Sequence, residues 1–181
     1  AVALVGELAQ ERPRTAAAHV AVFVGRRLEH GPGDRAVLRP LVVALLHSPS
    51  VSVRAALAGV LAEPGTPASR ALRTELLDLL FTQERDPAVL DAVLTEAARG
   101  AARRGRPRTR DLVHRTGQLL VRTPEGAACF DRRLVDLARA VPGFAALVTR
   151  WLAAQPQEWA ALVGPGARRM VENLSGQGVP A

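Results

Sequence analysis

Apolar residues recur along the chain at helical spacing. Val53, Ala56, Leu57, Val60 and Leu61 fall at i, i+3, i+4, i+7 and i+8, and Phe144, Leu147, Val148, Trp151 and Leu152 repeat that spacing. Leu72, Leu76, Leu79 and Leu80 mark one face, and Val89, Leu90, Val93, Leu94 and Ala97 mark another. A 3.6-residue period that keeps one stripe apolar predicts amphipathic helices packed against a common core. Between breaks rich in proline and glycine, the pattern predicts helices at 1–10, 14–30, 34–47, 50–63, 69–83, 87–101, 109–122, 125–140, 142–154 and 157–174. The last is broken at Gly164-Pro165-Gly166.

The breaks have a period of their own. Pro13, Pro49, Pro87, Pro124 and Pro156 are separated by 36, 38, 37 and 32 residues, each after a Leu-rich segment. Ser48, Asp86 and Thr123 precede three of them. These residue types favour the N-cap, and proline suits the first helical position because its missing N–H would be unpaired there. Pro32, Pro67, Pro107 and Pro142 form an interleaved set spaced 35, 40 and 35. Two alternating sets of breaks at one period read as helix, short turn, helix, longer loop, repeated about five times. The expected fold is all-α, a right-handed α-solenoid of about five antiparallel helix pairs. It would occupy residues 1–174 as repeats near 1–31, 32–65, 66–106, 107–141 and 142–174, with a polar tail at 175–181.

The segment Pro40 to Leu61 carries Leu45-Leu46, a short turn, then Val53-Arg54 and the small residues Ala55, Ala56 and Ala58. In this it resembles HEAT repeats, which show a leucine pair, an Asp in the turn and Val-Arg opening the second helix. Ser48 stands where the Asp is expected; in the next unit Asp86 and Val89 fit, but Leu90 replaces the Arg. The resemblance implies an array that binds partners and has no catalytic residues of its own. Some HEAT-like proteins are DNA glycosylases that pair aromatics with an acid, and here only Glu158 stands beside a tryptophan, Trp159.

Composition sharpens the exclusions. Among 181 residues, 48% are apolar and 23% charged, which is globular rather than disordered. A single cysteine, Cys129, excludes a disulfide framework. It is expected as a half-buried thiol beside a core face of Phe130, Leu134, Leu137 and Val141. All 24 basic side chains are Arg, so lysine Schiff-base chemistry and a phosphate-loop lysine are absent. His19, His30, His47 and His114 form no metal-binding pair, and neither a metal nor a cofactor is expected. His30 and His47 are expected near helix C-termini, where partial positive charge is favourable. No serine occupies a Gly-x-Ser-x-Gly elbow, and Trp159 is expected to pack on Trp151.

The Arg, Ala, Gly and Pro bias points to a GC-rich, actinobacterial-type genome. No apolar run is long enough for a membrane span, and the first residues lack a signal-peptide pattern, so a cytoplasmic protein is expected. The first residue is not Met, and Val2, Leu4, Val5 and Leu8 leave the first helix apolar on more than one side. A further repeat or domain is therefore expected before residue 1, with a natural C-terminus at the tail.

Charge supplies the candidate chemistry. The net charge is +7, yet residues 99–115 hold seven arginines against Asp111 alone, leaving the rest of the chain near neutral. Arg99, Arg103, Arg104, Arg106, Arg108 and Arg110 are the candidate anion- or partner-binding residues, on a loop that Gly100, Gly105 and Pro107 are expected to keep non-helical. Arginine forks suit phosphate and carboxylate alike. The expected function is non-enzymatic protein–protein interaction or scaffolding, serving an upstream domain of the same chain or a separate protein. The alternative is phosphate-backbone nucleic-acid binding through 99–115, although no aromatic between Phe81 and Phe130 offers bases a stacking platform.

Overall fold

The computed structural model describes residues 15–101 and 106–176, and every regular element among them is an α-helix. In chain order these are α1 (Thr15–Arg27), α2 (Pro32–Leu46), α3 (Val51–Ala62), α4 (Pro67–Gln83), α5 (Pro87–Ala101), α6 (Arg106–Leu120), α7 (Pro124–Ala140), α8 (Phe144–Ala154), α9 (Pro156–Ala160) and α10 (Pro165–Gly176). The all-α expectation holds, and the predicted ends lie within a few residues of those observed. The first predicted helix, 1–10, lies outside the described residues.

Proline and its capping neighbours set the starts. Pro32, Pro67, Pro87, Pro124, Pro156 and Pro165 each open a helix. Thr123 accepts a hydrogen bond from Gly126 N at 3.1 Å and Asp86 accepts one from Ala88 N at 2.9 Å, each satisfying an amide that has no intrahelical partner. Pro49 differs: the helix after it starts at Val51 with Ser50 as N-cap, and Ser48 Oγ accepts from Ser50 N at 3.2 Å within the turn. Gly143 caps α8 with φ +79°, a left-handed conformation that favours glycine.

The chain divides into two compact units, Ala1–Glu96 and Ala97–Ala181, with the boundary inside α5. In the first, α1 packs on both α2 and α3, and α3 packs on α2 and α4. The core is formed by Ala17, Ala21, Val24 and Leu28, Val42 and Leu46, Val53, Leu57 and Leu61, and Leu76, Leu77 and Leu80. The α4 face departs from the apolar pattern. Arg73, rather than Leu72, is buried, and only 2% of it is exposed.

Arg73 can be buried because its charge is matched. Its Nη2 lies 2.5 Å from Glu29 Oε1, and its Nη1 donates to the carbonyl of Val60. Glu29 also accepts from Ser69 Oγ at 2.8 Å and Thr66 N at 2.9 Å. Burial pushes the Glu29 carboxyl up, but the hydrogen bonds from Thr66 and Ser69 and the Arg73 charge pull harder, and it settles at about 2. A second matched pair joins Arg54, of the Val53-Arg54 pair, to the buried Glu84 at 2.8 Å. Glu84 also accepts from the amides of Arg85 and Asp86. Burial raises its pKa, and these hydrogen bonds with the Arg54 charge bring it below the usual carboxylate value.

In the second unit, α7 packs on α6, α8 and α10, and α8 packs on α9 and α10. Phe130, Leu134 and Leu137 are buried, as the α7 core face predicts, and Cys129 is half-buried beside them. Trp159 is fully buried and stacks on Trp151 with ring centroids 5.3 Å apart and planes 17° off parallel.

Several polar contacts join residues one proline period apart. Arg26 pairs with Glu63 (37 residues on), Thr66 N donates to Glu29 (37), Arg39 pairs with Glu75 (36) and Gln83 donates to Leu46 O (37). In the second unit, Gly166 N and Ala167 N donate to Asp131, 35 and 36 residues earlier.

Candidate functional site

The Arg-rich segment is more helical than expected. α5 runs through Gly100 to Ala101 and α6 starts at Arg106, so Pro107 sits in a first turn, where its missing N–H leaves no hydrogen bond unmade. Arg99 is an exposed residue of α5; Arg106, Arg108 and Arg110 belong to α6; Arg103 and Arg104 lie outside the described residues. The arginines are thus not gathered on one non-helical loop.

Arg110 is already engaged. Its Nη2 lies 2.6 Å from Glu158 Oε2 on α9, and His114 Nε2, one turn further along α6, lies 3.3 Å from the other carboxylate oxygen. The His114 ring meets Trp159 edge-on, with centroids 5.3 Å apart. Glu158 and Trp159 therefore share His114 as a neighbour: the carboxylate bridges Arg110 and His114, and the indole is enclosed between His114 and Trp151. The indole N–H has no hydrogen-bond partner. No solvent-facing pairing of acid and aromatic results. His47 caps α2 and its Nδ1 lies 2.7 Å from Val43 O, a C-terminal placement that matches the expectation. Among the described residues, no group of three or more His, Cys, Asp or Glu is placed to hold a metal ion, and no helix is long and apolar enough to cross a membrane.

The second unit also carries a groove of about 520 Å³ between α7 and the start of α10. Ala127, Ala128 and Val135 supply apolar lining, Arg132, Asp136 and Arg139 supply charge, and Gly164-Pro165-Gly166 forms the facing wall. Asp131 fixes that wall, because its two carboxylate oxygens accept from Gly166 N and Ala167 N, both at 2.8 Å. An acid at a helix N-terminus satisfies unpaired amides and complements the helix dipole. The wall needs its glycines, since a Cβ at Gly164 would lie 2.5 Å from the Asp131 carboxyl carbon. Replacing Asp131 with Ala is expected to lower stability by about 1–2 kcal/mol. Faster amide exchange in the first turn of α10 would locate the loss; unchanged exchange there would refute the capping role.

Of these groove residues, the sequence pattern marks only Gly164-Pro165-Gly166, as a helix break. The readable signal is a pair of seven-residue spacings on one helix, Ala128 with Val135 and Arg132 with Arg139. No family model, curated protein or solved structure matches the chain.

Proposed function

We propose that both units are built of stacked HEAT-like helical repeats and that the chain is a non-enzymatic protein–protein interaction or scaffolding module. The observation that carries this reading is the coincidence of two periods. Prolines recur every 32 to 38 residues, and several of the long-range polar contacts, though not all, join partners 35 to 37 residues apart. Contacts at one sequence period are those of a repeat resting on its neighbour, and stacked repeats present extended surfaces suited to partners. The Val-Arg motif adds support, since Arg54 ties the start of α3 to the end of α4 through Glu84.

The nucleic-acid reading draws less support, because Arg110 is committed to Glu158. Two measurements separate the readings. Cross-linking in a nuclease-treated lysate of the source organism is expected to recover a stoichiometric protein partner; recovery of none would overturn the scaffold reading. Duplex DNA titrated at two salt concentrations is expected to show only weak low-salt binding, unchanged when Arg103, Arg104 and Arg106 become Ala. Binding that persists at physiological salt and is lost in that triple variant would establish nucleic acid as the ligand.

A further inference from the structure

We draw no further inference here: the strongest candidate, the outward surface of the α1–α2 pair in the first unit, where the apolar side chains Phe23 and Val37 stand exposed, carries nothing because nothing in the structure shows what covers it.

Discussion

Replacing Arg73 with Ala is expected to lower the stability of the first unit by about 3–5 kcal/mol, the range for breaking a buried ion pair from one side. The change leaves Glu29 with its bonds from Thr66 and Ser69 but without its matching charge, and removes one of the donors to the Val60 carbonyl. The double change Arg73→Leu with Glu29→Gln is expected to lose distinctly less, because it removes both charges and leaves an amide for Thr66 and Ser69 to bond. pH supplies a second readout. Glu29 titrates at about 2 in the fold, below its ordinary 4.5. A carboxylate with a depressed pKa contributes stability that is fully present above the unfolded value and is lost as pH falls through the folded one. The Glu29 contribution is therefore expected to fade between about pH 4.5 and 2. Amide-exchange protection in α3 and α4, relative to the intrinsic rate at each pH, is expected to fall over that window in the native chain and to change much less in Glu29→Gln. Equal acid sensitivity of the two would refute the assignment.

Arg73 also shows where reading a sequence stops. The period of Leu72, Leu76 and Leu79 locates α4, and the predicted start at 69 lies two residues from the observed Pro67, because the apolar signal is local and repeats. The rotation of α4 about its own axis is not local. It is set by Glu29, 44 residues earlier, whose carboxylate can satisfy a buried guanidinium. Pro107 fails in the opposite direction: proline shortly after Gly100 and Gly105 reads as a break, yet a first-turn proline has no amide to leave unpaired, so α6 starts at Arg106. The same division runs through the candidate site. The Arg cluster is conspicuous in composition, but composition does not reveal that Glu158, 48 residues beyond Arg110, will engage it. The groove is quieter in composition, since it mixes small apolar residues with two arginines, and only its heptad spacing is visible before the wall at Gly164 is placed opposite.

Trp159→Ala is expected to be the most damaging single change in the second unit, at about 3–5 kcal/mol, because it opens a cavity beside Trp151 and His114 in a fully buried site. Trp159→Phe is expected to lose much less than the volume change alone implies, since it also removes an indole N–H that is buried without a partner, a penalty of about 1–3 kcal/mol. Glu158→Gln removes an ion pair whose side chains are about one-third exposed, and such pairs contribute about 0–1 kcal/mol. Both tryptophans, and no tyrosine, lie in this chain, and both belong to the second unit, so intrinsic fluorescence reports its unfolding alone. The order of the three effects decides what the cluster is for. If Trp159→Ala unfolds the unit readily and Glu158→Gln leaves its midpoint nearly unchanged, the indole holds α9 in place and the carboxylate merely tethers it to α6. If Glu158→Gln proves as harmful as the loss of the indole, the Arg110–Glu158–His114 bridge closes the unit, and the aromatic stack is secondary to it.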